Sequence, residues 1–174
     1  MHFPVNFCSF DFDWGGGCLR GSKRGTQWPQ APTINLFVPA LGSLYAALNT
    51  TSETILRAAA GIFLTIHGSG KITDPLGAAA MVEGLGFYPG AFWSVLLACT
   101  EFFGGIFIAI GLLTRPAALA GMFVLLVTVW FHWVTMGEGF SGAEKSLLWA
   151  AILFFFVIRG GNRQSVDARI GKAF

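Results

Sequence analysis

The chain has 174 residues, of which 54% are hydrophobic and only 11% charged, with a formal net charge of +2 and a mean hydropathy of +0.64. A soluble domain carries about 25% charged residues, so this composition belongs to a chain whose solvent is lipid. The small net charge, with no basic stripe interleaved with aromatics, excludes a nucleic-acid binder; Cys8, Cys18 and Cys99 form no CxxC pair, which excludes a structural zinc site and a thiol relay, and no metal site is expected.

Residues 1–35 are Gly-rich and aperiodic, and they lack the basic start, apolar run and small-residue cleavage site of a secretory signal. They read as a poorly structured cytoplasmic leader. Residues 36–160 read as a membrane bundle. Its first stretch, "LFVPALGSLYAAL" (36–48), is too short to cross and contains Pro39, so it is expected to lie in the interface. Four windows then approach the roughly 20 apolar residues that a ~30 Å hydrocarbon core requires: about 52–70, 91–113, 116–136 and 141–158. Thr50-Thr51-Ser52-Glu53 and Ser141-Gly142-Ala143-Glu144 fit the capping box that opens a helix. Thr114 and Pro116 open the third span, and Gly160 with Gly161 closes the fourth. Residues 161–174 form a basic tail.

Short connections predict an all-α, four-helix up-down bundle. Arg20, Lys23 and Arg24 precede the first span, Arg115 lies in the second connection, and Arg159, Arg163, Arg169 and Lys172 follow the last, which places both termini in the cytoplasm. The outward connections hold Asp74, Glu83 and Glu138. Phe87, Tyr88, Phe92, Trp93, Trp130, Phe131, Trp133 and Trp149 mark the outer interface.

Helices in lipid gain nothing by burying leucine against leucine, so contact faces are marked by small residues. Ala98, Glu101, Gly104 and Gly105 share one face of the second span at i+3 and i+4 spacing, which points Glu101 at protein. A carboxylate near mid-bilayer costs about 2.5–3.5 kcal/mol. Glu101 therefore needs a proton or a cation; Arg57 is the first candidate and His67 the second. His67 and Lys71 are one helical turn apart, with Arg57 within about 40° of Lys71 on the same face. On the third span His132 joins Thr128 and Thr135 in a polar stripe expected to be internal, and Ala117 with Gly121 makes a small-xxx-small pair. With Glu144, which also fits a cap, these residues outline a polar pocket open to the outer leaflet. Glu101 and His67 are its proton-exchanging catalytic candidates, and Arg57, Lys71, His132 and Glu144 line it.

The stretches "LRAAAGIFLTIHGSGK", "EFFGGIFIAIGLLTRPAA", "GAEKSLLWAAILFFFV" and "GGNRQSVDAR" resemble the DoxX family of small four-helix bacterial membrane proteins over about residues 40–170. The combination of Arg57, His67-Gly68, Lys71, Glu101 and Thr114-Arg115 carries the resemblance. It implies a multi-pass protein of the bacterial inner membrane, with relatives named for the small subunit of a thiosulfate:quinone oxidoreductase and for an assembly with cytoplasmic redox proteins. No haem-type bis-His pair, iron–sulfur cysteine set or flavin fold is present, so a redox role requires a bound quinone or a partner subunit to carry electrons.

Two readings follow. In the first the chain is a quinone-reactive oxidoreductase subunit. In the second it is a non-catalytic accessory subunit that stabilises a larger redox or photosynthetic membrane complex. The expected partners are the lipid bilayer and either redox subunits or further copies of the chain.

Overall fold

The computed structural model describes residues 42–171, and among them there are helices and no strands. The chain divides between Ala47 and Leu48, and the bundle described below lies in the second unit. In chain order the elements are α1 (Gly42–Thr73), α2 (Ala79–Gly84), α3 (Gly90–Ile110), α4 (Thr114–Trp130), a π-helical turn Phe131–Thr135, α5 (Gly139–Arg159) and α6 (Val166–Ile170). The expected leader and residues 36–41 of the expected interfacial segment lie outside the described residues; 42–48 are the opening turns of α1.

Among the described residues three helices are long and apolar enough to cross a membrane: α3, α4 with its π turn, and α5. Only 11% of the most apolar window of Thr114–Thr135 is buried. Ile55, Phe63, Ile66, Leu148, Phe154 and Ile158 are each more than half exposed. Such continuous apolar surface is tolerated where the solvent is hydrocarbon. At 32 residues α1 exceeds the length required, but it carries Glu53, Arg57 and Lys71.

The core is built jointly by the long helices: Ala60 and Leu64 from α1, Ile108 from α3, Ala118 from α4, and Leu153 and Phe156 from α5. The small-residue faces read from the sequence are the contact faces. Ala98, Glu101, Gly104 and Gly105 are all buried on α3. Gly61 of α1 meets the backbone of Gly105 and Ala109, so a Cβ there would overlap Ala109 N and Gly105 O. On α4, a Cβ at Gly121 would come within 2.9 Å of Leu153 and 3.3 Å of Leu64. Close packing of this kind is how membrane helices hold together without a hydrophobic driving force.

Several sequence expectations are corrected. Thr50–Glu53 opens no helix, because α1 runs through it, with Thr54 Oγ1 donating to Thr50 O at 2.8 Å. The fourth long helix begins at Gly139, ahead of Ser141, with no side-chain cap. Trp149, expected at the interface, lies halfway along α5 and packs on the core and against Phe63. The connection between α1 and α3 contains α2, which the pattern did not show. Glu83 of α2 accepts from Gly90 N at 2.8 Å and so caps α3, while Ser94 Oγ donates to Pro75 O at 2.6 Å.

The α1–α3 contact gives a direct test. Gly61→Leu forces the two backbones apart and is expected to lower unfolding stability in micelles by about 1–3 kcal/mol, the usual cost of overpacking. Gly70→Ala, which meets nothing within 4 Å, is expected to be neutral or slightly stabilising.

Candidate functional site

The buried face of α1 is one stripe: Arg57, Ala60, Gly61, Leu64 and Gly68, continued by the half-buried Lys71. This is the i, i+3/i+4, i+7 series of a helix, and it places the stripe's two cations 14 residues, or about 21 Å, apart along the axis. The stripe lies against α3 in antiparallel register, with Gly61 opposite Gly105 and Ala109, and Gly68 opposite Glu101 and Phe102.

That register decides the partner of Glu101. Lys71 Nζ donates to Glu101 Oε1 at 2.6 Å, and the Glu101 side chain is 3% exposed while that of Lys71 is 32% exposed. A Cβ at Gly68 would sit 2.6 Å from Phe102 N and 2.8 Å from Glu101 Cβ, so the absence of a side chain lets α1 approach closely beside the acid. Arg57 is not the partner. It lies 11 residues, about 16 Å, from the level of Gly68, beyond the reach of its side chain. The other candidate, His67, is exposed on α1 and approaches the pair through Lys71, with Nε2 3.4 Å from Nζ. The order carboxylate, ammonium, imidazole thus runs from interior to surface. Glu101 Oε2 is buried and has no hydrogen-bond partner. A cleft of about 300 Å³ touches this group at Lys71 alone and is otherwise lined by Asp74, Met81 and Ser94 among others.

The remaining two sequence candidates lie elsewhere. His132 falls on the π turn, where the helical phase that aligned it with Thr128 and Thr135 changes; its Nδ1 is 2.7 Å from Glu138 Oε2, and both side chains are substantially exposed. The internal stripe expected there does not form. Glu144 is exposed in the second turn of α5 and neither caps that helix nor joins the Lys71–Glu101 pair.

Arg57 belongs to a second polar node at the opposite end of the bundle. Its Nη1 donates to the carbonyls of Ile108 and Ala109 at 2.8 and 2.9 Å; both lie in the last turn of α3, where a cation is favoured by the helix dipole, and the Ile108 carbonyl also accepts from Gly111 N at 3.1 Å. The chain turns at Gly111 (φ 75°), whose N–H donates to Phe107 O at 2.9 Å, and passes through Leu113 in the left-handed region (φ 49°). Asp167, buried on α6, closes the node: Oδ1 accepts from Leu113 N at 2.8 Å, and Oδ2 accepts from Thr114 N at 3.1 Å and Thr114 Oγ1 at 3.0 Å. Its own N–H donates to Gly111 O at 2.9 Å. An anion thus sits at the start of α4 and a cation at the end of α3, each at the terminus whose dipole favours it. Sequence reasoning missed Asp167 and treated its segment only as a basic tail. The signal was Ser165-Val166-Asp167, a cap residue followed by an acid, in which Ser165 Oγ accepts from Ala168 N at 3.1 Å.

Among the described residues no group of three or more His, Cys, Asp or Glu side chains could hold a metal ion. What the Lys71–Glu101–His67 group offers is acid–base chemistry: a buried carboxylate that can hold a proton, an ammonium donor at the cleft and an exposed imidazole.

Three membrane-length apolar helices, with α1 packed on them through glycines and joined to α3 by an ion pair, define a helical multi-pass membrane protein. The family model described as DoxX matches residues 52–133, and over that stretch the chain is similar to DoxX proteins. No curated protein matches the chain, and no solved structure does.

Two measurements check the two nodes. Lys71→Met leaves a buried, unpaired carboxylate and is expected to cost about 3–5 kcal/mol, whereas Lys71→Met combined with Glu101→Gln is expected to recover more than half of that loss. Asp167→Ala leaves buried N–H groups without acceptors and is expected to cost about 3 kcal/mol. Asp167→Asn, which keeps one acceptor oxygen, is expected to cost about half as much in the same unfolding assay.

Proposed function

We propose that the Lys71 end of the α1–α3 interface is a proton-exchanging site for a membrane-soluble quinone head group, and that the chain serves as a subunit of a redox assembly in the bacterial cytoplasmic membrane. The observation that carries this reading is the unequal state of the Glu101 carboxylate: one oxygen is held by Lys71, while the other is buried without a donor. An unsatisfied buried oxygen calls for either a proton or a ligand hydroxyl. A cleft of about 300 Å³ reaches the group through Lys71, and its volume is at the lower end of the range for small-molecule sites.

The residues fit such a group. Lys71, on the wall of the cleft, can donate to a carbonyl-type oxygen, and Glu101 can accept or return a proton. His67, at the exposed end of the series, can pass that proton to water. The quinone, when bound, supplies the electron-carrying ring that the chain lacks. The similarity to DoxX proteins over residues 52–133 supports the membrane setting, and ionisable residues within membrane-spanning helices commonly mark functional sites.

In this reading α1 is the fourth span, its charges satisfied by Glu101 at one level and by the α3 carbonyls at the other. Arg115, Arg159, Arg163 and Arg169 gather where α3 meets α4 and where α5 ends. By the positive-inside tendency that end faces the cytoplasm, and the Lys71–Glu101 site opens toward the outer leaflet.

Titration of the purified protein in nanodiscs with decylubiquinone, followed by tryptophan quenching, tests the site. Wild type is expected to bind, with affinity falling at least about tenfold, or 1.4 kcal/mol, in Glu101→Gln and in Lys71→Met. Wild-type protein that does not bind, or variants that bind equally well, would overturn the quinone reading and leave the accessory-subunit role.

A further inference from the structure

At the end of the bundle that holds Arg57 and Asp167, the charges do not cancel. Glu53 is ion-paired with Arg159, and Asp167 is taken up by the N–H groups that open α4. Arg115, Arg163 and Arg169 have no ion pair to a carboxylate among the described residues.

These three cations are not carried on a loose tail. The side chain of Asn162 donates to Thr50 O at 3.0 Å and to Thr54 Oγ1 at 2.6 Å. Ser165 is fully buried, and Asp167 is 7% exposed. The backbone that presents Arg163 and Arg169 is therefore pinned to α1 on one side and to the α3–α4 turn on the other. Arg115 is positioned as well. It lies across the end of α5, close enough to Gly160 that a Cβ there would come within 3.0 Å of its Nε, and its Nη2 is 3.4 Å from Ile158 O.

Two apolar side chains on the same segments are exposed: Ile158, whose carbonyl Arg115 approaches, at 62%, and Ile170, which follows Arg169 on α6, at 55%. A fixed surface that offers unpaired guanidinium groups next to exposed hydrocarbon, at the rim of a lipid-embedded bundle, matches a ligand that is itself an anion joined to hydrocarbon. Guanidinium groups bind phosphate oxygens in a directed, often bidentate manner, and basic pockets at this level of membrane proteins take phospholipid head groups.

We propose that Arg115, Arg163 and Arg169 form a binding site for an anionic phospholipid, with its phosphodiester at the guanidinium groups and its acyl chains beside Ile158 and Ile170. The bound lipid ties the start of α4 to the segment carrying α6 and so reinforces the Asp167 contact from outside. The site is separate from the Lys71–Glu101 pair and does not depend on its chemistry.

The test is intact-protein mass spectrometry of the full chain in mild detergent, combined with thermal melts titrated with phosphatidylglycerol, phosphatidylcholine or inorganic phosphate. Phosphatidylglycerol is expected to co-purify and to raise Tm, while phosphatidylcholine and inorganic phosphate do neither. The triple variant Arg115→Gln/Arg163→Gln/Arg169→Gln is expected to need at least about tenfold more phosphatidylglycerol for the same rise. The double variant Arg163→Gln/Arg169→Gln changes only exposed side chains and is expected to show the same direction of effect. Lys145→Gln, a change to an exposed cation on α5, is expected to behave as wild type. Equal response to the two lipids, an unchanged response in both variants, or a rise produced by inorganic phosphate alone would overturn the proposal. None of these outcomes bears on quinone binding, which is read in a different assay.

Discussion

The constraint on which this architecture depends is the need to neutralise a carboxylate set in the middle of a membrane-length helix. Glu101 is 3% exposed at the side chain, and its companions on the same face of α3 are Ala98, Gly104 and Gly105. Such a group cannot be left facing hydrocarbon. Lys71 supplies the opposite charge, and because its ammonium sits at the end of a flexible stem it can meet the acid while its own side chain stays partly exposed. The glycines serve the same end: Gly61, Gly68 and Gly105 bring the backbones of α1 and α3 close enough for the pair to form.

The same stripe of α1 also answers a second demand. A helix that ends inside a membrane bundle leaves carbonyls unpaired, and the next helix begins with unpaired N–H groups. At the end of α3 the backbone N–H groups of Gly111 and Leu112 donate to the Phe107 and Ile108 carbonyls and Arg57 donates to those of Ile108 and Ala109, while Asp167 accepts from the N–H groups at the start of α4. The turn between them is only Gly111 to Leu113, so both termini are handled within one compact node. One face of α1 therefore bonds to α3 at two levels, with a cation used structurally at one and kept beside a cleft at the other.

This division separates residues that look alike in sequence. Arg57 and Lys71 are both cations on the buried stripe, but Arg57 is fully enclosed and bonded to backbone, while Lys71 remains on the wall of a cleft and beside His67. Chemistry that requires exchange with a ligand or with water can use only the second. His132 and Glu138, paired across the α4–α5 connection, hold the π turn to the start of α5. They contribute to that end of the bundle without entering the Lys71–Glu101 group.

Much of this was determined by sequence alone. Composition identified the solvent, hydropathy located α3, α4 and α5 to within a few residues, and the spacing of small residues identified the face on which Glu101 lies, because each is a local or single-helix property. The identity of the partner of Glu101 was not such a property: periodicity places Arg57 and Lys71 on the same face, and only the axial register of α1 against α3 shows which of them stands level with the acid. The role of Asp167 was hidden for a related reason. It bonds to Leu113 and Thr114 across more than 50 intervening residues, and no periodicity within a helix encodes a contact that exists only when the chain's last segment folds back onto the turn between two others.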